Sequence, residues 1–82
     1  MLRYESFKDM CHCFTKEKKT VNRLYGVYLG QIKHIKEQFD EKVLLDLGIL
    51  AIKIAFQATK RKKISNILGY YNSVLDELLT KL

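Results

Sequence analysis

Apolar residues recur every three or four positions along most of this chain, which is the spacing of a helix with one buried face. The first such stretch covers residues 4–15. Its stripe consists of Phe7, Met10, Cys11 and Phe14. The charged run Thr15–Lys19 then interrupts the pattern. We therefore predict a short first helix, a loop, and a second helix that Thr20 caps.

The second predicted helix runs from Val21 to about Gln38. Its stripe consists of Val21, Leu24, Tyr25, Tyr28, Leu29, Ile32 and Ile35, and Phe39 continues the same line. Gly26 and Gly30 lie on the polar side with the spacing of a small-residue contact motif, so they either mark a close helix contact or none. His34 lies on the charged side, where a surface histidine is expected rather than a ligand or a base.

The third predicted helix begins after Asp40, a favourable N-cap residue, and covers Glu41 to about Thr59. It is apolar on nearly every side. Its polar seam is narrow and consists of Lys42, Asp46, Lys53 and Gln57. A helix of this kind has to be surrounded by other helices, so we expect it at the centre of the domain.

Four consecutive cations, Lys60, Arg61, Lys62 and Lys63, follow the third helix. They either complement the negative end of the helix dipole in a solvated turn or form a polyanion site. Ser65 is a plausible N-cap for the last helix. Its stripe consists of Ile67, Leu68, Tyr71, Val74, Leu75, Leu78, Leu79 and Leu82. Tyr70 lies at the margin of that stripe and is the best candidate for a partly exposed aromatic residue.

Length and composition fit this pattern of helices. The chain has 82 residues, no proline and four glycines, so it forms one domain with few helix breakers. We predict an all-α, compact bundle of about four helices around a central apolar helix, residues 41–59. The single domain spans residues 1–82.

The formal net charge is +6, which favours polyanions and acidic protein surfaces as partners. Two basic clusters could bind nucleic acid weakly and without sequence preference. The first consists of Lys16, Lys18, Lys19 and Arg23, and the second is the run Lys60–Lys63. The sequence shows neither a signal peptide nor an apolar run of membrane length. We therefore expect a cytoplasmic, bacterial protein that does not bind membranes.

Residue patterns for catalysis, metal binding or cofactor binding are weak. Cys11, His12 and Cys13 form a triplet, but structural zinc needs four ligands and usually a wider cysteine spacing. Neighbouring acids such as Asp40 and Glu41 diverge on a helix, and no phosphate-binding glycine loop is present. We therefore expect no enzymatic activity, no cofactor, no metal and two reduced thiols.

Residues 50–79, LAIKIAFQATKRKKISNILGYYNSVLDELL, resemble the C-terminal helical domain of DnaD-like primosome proteins. There an apolar, alanine-containing helix leads through a polar turn into a helix of the form YIxxILxxW. One register places Ile67, Tyr71 and Leu75 at the aromatic, aliphatic and tryptophan positions. A second register, which aligns the family's glycine with Gly69, uses Asn66, Tyr70 and Val74. The first is physically better because its residues lie on the buried stripe, and neither register keeps the tryptophan.

Over most of its length the chain is similar to the C-terminal domain of RepA-type plasmid replication initiators, the RepA_N family. The resemblance implies a C-terminal fragment of a longer protein, whose missing N-terminal winged-helix domain would bind origin DNA. It also implies a role in plasmid replication initiation, in which this domain recruits host replication machinery, most notably the primase. Two alternatives remain: direct, nonspecific binding of single- or double-stranded DNA, and self-association through the margin of helix four.

Tyr70 and the cations Lys60, Arg61, Lys62 and Lys63 are the predicted partner-binding residues. Helix four follows the cationic turn directly, so the aromatic ring and the charges can form one surface. An aromatic anchor beside basic residues is typical of an interaction hot spot that faces an acidic partner. The other interpretation is that Tyr70 covers the edge of the core while its hydroxyl group remains in water.

Overall fold

The structure, a computed structural model, describes the backbone of residues 2–82 and the side chains from Tyr4 onwards. Helix α1 comprises Leu2–His12, α2 Lys18–Ile32, α3 Glu41–Thr59 and α4 Ile67–Thr80. The described residues contain no strand. This confirms the predicted all-α class and the number of helices.

The four helices form a closed bundle in which each helix packs against two others. Helix α3 packs against α4 and α1, and α2 packs against α4 and α1 as well. Each helix contributes one residue to the centre of the bundle: Phe7, Tyr28, Gly48 and Tyr71. The ring of Phe7 lies 5.4 Å from that of Tyr28 and 6.2 Å from that of Tyr71, measured between centroids. Three buried aromatic rings therefore meet around one glycine.

Gly48 allows this arrangement because a side chain there would collide with Tyr28. A Cβ atom on Gly48 would lie 2.5 Å from Cδ1 of the Tyr28 ring, well inside van der Waals contact. The Gly48 carbonyl oxygen accepts a hydrogen bond of 3.1 Å from the buried Tyr71 hydroxyl group. Around Gly26 and Gly30, by contrast, a Cβ would meet nothing within 4 Å. Of the two alternatives for these glycines, the structure supports the second, because neither lies at a close helix contact.

Helix α2 begins earlier than predicted. Its N-cap is Glu17, whose backbone is extended, and Lys18 is already the first helical residue. Thr20 does not cap the helix. Its hydroxyl group instead donates a 2.7 Å hydrogen bond to the Glu17 carboxylate. The apolar pattern begins only at Val21, so the polar first turn of the helix leaves no signal in the periodicity.

Helix α2 also ends earlier, at Ile32 rather than near Gln38. Turns follow, in which the Ile35 amide and the Lys36 amide both donate to the Ile32 carbonyl oxygen, at 3.0 and 2.8 Å. Ile35 and Phe39 still pack against the core, as their spacing predicts. The turns redirect the chain towards α3 while they keep these contacts, and no glycine or proline marks the change. His34 is exposed in this segment, as expected.

The ends of α4 differ from the prediction by one or two residues. Asn66, not Ser65, is the N-cap, and its side-chain oxygen accepts a 3.2 Å hydrogen bond from the Gly69 amide. At the other end the helix stops at Thr80. Leu82 therefore leaves the buried stripe and is 47% exposed. Tyr71 and Leu75 are fully buried in the middle of that stripe.

Helix α3 contributes the largest set of buried residues, as expected for the most apolar helix. The set consists of Leu44, Gly48, Ala51, Ile52, Ala55 and Ala58. The Asp40 side chain caps the helix by accepting a hydrogen bond from the Lys42 amide, which confirms the predicted N-cap. One side of α3 nevertheless stays open, because Val43 and Leu50 are exposed. Within residues 2–82, no helix combines the length and the apolar character that a membrane span requires.

Candidate protein-binding site

The candidate site lies where α3 passes into α4. The chain leaves α3 through hydrogen bonds that the Arg61 and Lys62 amides donate to the Ala58 carbonyl oxygen, each 3.1 Å long. This turn satisfies the last carbonyl groups of the helix and projects the side chains of Lys60–Lys63 into solvent. Only Ile64 and Ser65 then separate Lys63 from Asn66, the N-cap of α4. The short connection therefore holds the cations close to the first turn of α4.

Tyr70 and Lys62 contact each other directly. The Lys62 Nζ atom lies 5.1 Å from the centroid of the Tyr70 ring, within the range of a cation–π interaction. Tyr70 is half-buried because part of its ring packs against the hydrophobic core. The core thus fixes the ring, and the ring in turn fixes one of the four cations. Tyr70 therefore covers the edge of the core and adjoins a cation, and its contact with a partner stays a prediction.

A shallow depression surrounds this contact. Its lining includes Tyr70, Lys62 and Lys63 together with Ile64, Gly69 and Ser73. Lys60 and Arg61 are exposed in the same turn but do not line the depression. The structure therefore brings together Tyr70, Lys62 and Lys63, which we name the aromatic–basic patch. The other two predicted residues, Lys60 and Arg61, lie outside the depression.

Sequence reasoning missed the residues that give the depression its shape. Gly69 and Ser73 are both exposed, four residues apart on α4, and their small side chains leave open space beside Tyr70. Ile64 adds an apolar surface to the same depression. The available signal was the pair of small residues at helical spacing next to a partly exposed aromatic residue.

The electrostatic character of the patch is positive and uncompensated. Among the described residues, none of the four cations Lys60–Lys63 forms an ion pair with a carboxylate. They lie beyond the C-terminal end of α3, where the helix dipole itself favours positive charge. The turn is therefore stable without an anion, and its charges remain available to a partner.

A second basic surface lies between α1 and α2. Lys16, Lys18, Lys19 and Arg23 are all exposed, as predicted. Lys18 lines a small cleft together with Lys8 and His12, two residues that the sequence reasoning did not include. The Tyr4 hydroxyl group donates a 2.9 Å hydrogen bond to the Asn22 side chain across this cleft. The cations border solvent and can attract phosphate groups.

The two cysteines occupy opposite environments. Cys11 is fully buried, and its burial, with a smaller effect of the neighbouring Cys13, raises the pKa of its thiol to about 12. Cys13 is exposed and donates to the Asp9 carbonyl oxygen over 3.6 Å. In the described part of the chain, no three His, Cys, Asp or Glu side chains converge as metal ligands would.

Comparisons with protein-family models, with curated proteins and with solved structures find no match for this chain.

Proposed function

We propose that this domain recruits a partner protein by binding an acidic surface of that protein to the aromatic–basic patch. The observation that carries the proposal is the contact between Lys62 and the Tyr70 ring beside a depression on α4. A ring held by the core is already ordered, so a partner that covers it loses little side-chain entropy on binding. The neighbouring unpaired cations favour an acidic partner and speed its approach.

The resemblance to RepA-type initiators supports one particular partner and process. We propose that the partner is the primase of a bacterial host and that the process is initiation of plasmid replication. In this role the domain would deliver the primase to an origin that another part of the initiator binds. The residues proposed to contact the primase are Tyr70, Lys62 and Lys63, with Lys60 and Arg61 adding long-range attraction.

A second candidate function is direct binding of nucleic acid through the exposed cations Lys16, Lys18, Lys19 and Arg23. Their exposure on one end of α2 supports it. The half-buried Tyr4 ring borders this surface, but it packs edge-on against Tyr25, with 4.9 Å between the ring centroids, so less of it is free to stack on an unpaired base. We therefore rank recruitment of a protein first and nucleic-acid binding second.

Calorimetric titration of the domain against purified bacterial primase tests the proposal. The double variant Tyr70→Ala with Lys62→Glu should bind about 10-fold or more weakly, which is about 1.4 kcal/mol or more. Tyr70→Phe keeps the ring and should bind nearly as well as the wild type.

Lys36→Glu is the matched charge control. It makes the same charge change at an exposed site before α3, whereas the patch follows the other end of that helix, which is about 27 Å long at about 1.5 Å per residue. Unchanged affinity of the double variant would place the docking surface elsewhere. Absence of binding by the wild-type domain would exclude primase as the partner.

A further inference from the structure

Helix α3 carries an apolar stripe that the described part of the chain leaves partly exposed. Val43 is 41% exposed and Leu50 is 42% exposed, although both belong to the most apolar helix. Leu47 and Ile54 are half-buried and are not among the side chains that pack against the core. We name these four residues the α3 stripe. These side chains do not pack against the core, and together they form an apolar surface on α3.

The α3 stripe has the spacing of a seam between paired helices. Its residues follow one another at intervals of four, three and four positions, which keeps them on one side of the helix over three turns. Asp46 and Lys53 border one edge of the stripe, seven residues apart, and both are exposed. Neither forms an ion pair within the described residues. One edge of the stripe thus carries two opposite charges.

We propose that the α3 stripe binds the α3 stripe of a second copy of this chain, with the two helices antiparallel. A two-fold axis that passes between Leu47 and Leu50 makes the stripe complementary to itself. Val43 of each copy then meets Ile54 of the other, and Leu47 meets Leu50. Such a self-complementary contact closes after two copies and forms a dimer.

The charges favour this orientation of a second copy. A two-fold axis perpendicular to antiparallel helices brings the same edge of both helices together. Asp46 of each copy then lies beside Lys53 of the other, and two ion pairs form. In a parallel pair, this edge would face the opposite edge of the partner helix, where Ala51 and Ala58 are buried within the bundle and offer no charge. Charged residues that flank a helical seam determine orientation in this way.

The dimer is expected to be weak. One helix face buries less surface than the roughly 1,200 Å² of a stable complex, so we expect a dissociation constant on the order of 10 to 100 µM. Sedimentation equilibrium of the 82-residue chain over that range should show a reversible monomer–dimer equilibrium. Leu50→Ser removes an exposed apolar contact and should leave a monomer, while circular dichroism checks that it stays folded.

Charge reversal tests the orientation. The single variants Asp46→Lys and Lys53→Asp each place four like charges along the paired edges and should dimerise at least about 10-fold more weakly. A one-to-one mixture of the two should restore dimerisation, because lysines of one variant then face aspartates of the other. Both sites are exposed, so folding should be retained.

Three outcomes would overturn the proposal. The first is a wild-type chain that stays monomeric up to about 1 mM. The second is a folded Leu50→Ser variant that dimerises like the wild type. The third is a mixture of the two charge variants that associates no better than either one alone, because the antiparallel contact requires their attraction.

Discussion

At the scale of single residues, Gly48 matters most for the packing of the core. Its missing side chain admits the Tyr28 ring, and its carbonyl oxygen accepts the hydrogen bond from Tyr71. Tyr28 is fully buried and lies against the Phe7 ring, so it has little room to move away. Gly48 therefore determines how closely α2 approaches α3 at the centre of the bundle.

Gly48→Ala should destabilise the domain by about 1 to 3 kcal/mol, the usual cost of overpacking a core. Gly26→Ala and Gly30→Ala make the same substitution where a Cβ meets nothing. Each should stabilise the domain by about 0.5 to 1 kcal/mol, because alanine loses less backbone entropy in a helix. Urea denaturation measures all three variants. Equal stabilisation at the three positions would contradict the close contact between Gly48 and Tyr28.

The two thiols should respond differently to the same substitution. Cys11→Ser places a hydroxyl group in the core and should cost about 1 kcal/mol or more. Cys13→Ser changes an exposed residue and should leave the thermal midpoint nearly unchanged. Thermal denaturation of both variants, with and without a strong chelator, checks this. If the chelator unfolded the domain, or if the two substitutions had equal effects, the assignment of the thiols would be wrong.

At the scale of helices, the N-terminus of α4 depends on Asn66. Its side chain accepts the hydrogen bond from the Gly69 amide, whereas the neighbouring Ser65 is exposed and makes no such bond among the described residues. The cap also positions the first turn of α4, which carries Tyr70. Stability of this helix end is thus coupled to the geometry of the aromatic–basic patch.

Asn66→Ala should lower the free energy of unfolding by about 1 kcal/mol, the typical contribution of an N-cap side chain. Ser65→Ala is the matched control one position earlier and should have an effect below about 0.5 kcal/mol, as is usual for surface substitutions. Denaturant titration of both variants gives the comparison. A larger loss in Ser65→Ala than in Asn66→Ala would restore Ser65 as the cap.

The helices could be predicted from the sequence where apolar periodicity is strong, and their ends could not. The sequence predicts α3 from Glu41 to about Thr59 with its cap at Asp40, because a favourable cap residue precedes a long apolar run. The first turn of α2 is polar, so apolar periodicity does not show where the helix begins. The last residues predicted for this helix form turns in the structure and contain no glycine or proline, so the end of the helix has no marker either. Ser65 and Asn66 are both good cap residues, and only the tertiary fold selects between them.

Part of the candidate site could be predicted for the same reason. Helical spacing put Tyr70 at the margin of the buried stripe, and the short connection put the cations beside it. Spacing alone could not distinguish Lys62 and Lys63, which line the depression, from Lys60 and Arg61, which do not. That distinction depends on the direction of the turn after α3, for which the sequence contains no periodic signal.

At the scale of the whole molecule, the net charge of +6 predicts weak and nonspecific attraction to nucleic acid. If about four phosphates are neutralised, the logarithm of the binding constant should fall with the logarithm of salt concentration at a slope on the order of −3 to −4. Fluorescence anisotropy with single- and double-stranded oligonucleotides measures this slope. Tight binding that persists at high salt would reverse our ranking and place nucleic-acid binding above recruitment of a protein.

The most direct test of the proposed recruitment function is to map which backbone amides respond when the domain is titrated with bacterial primase. We predict that chemical-shift changes and line broadening concentrate in residues 60–73, around Tyr70 and Lys62. The turn at residues 33–38, before α3, should stay unchanged, as should the exposed side of α2 around Lys19 and Arg23. Changes confined to α2, or no change at saturating primase, would contradict the proposed docking surface.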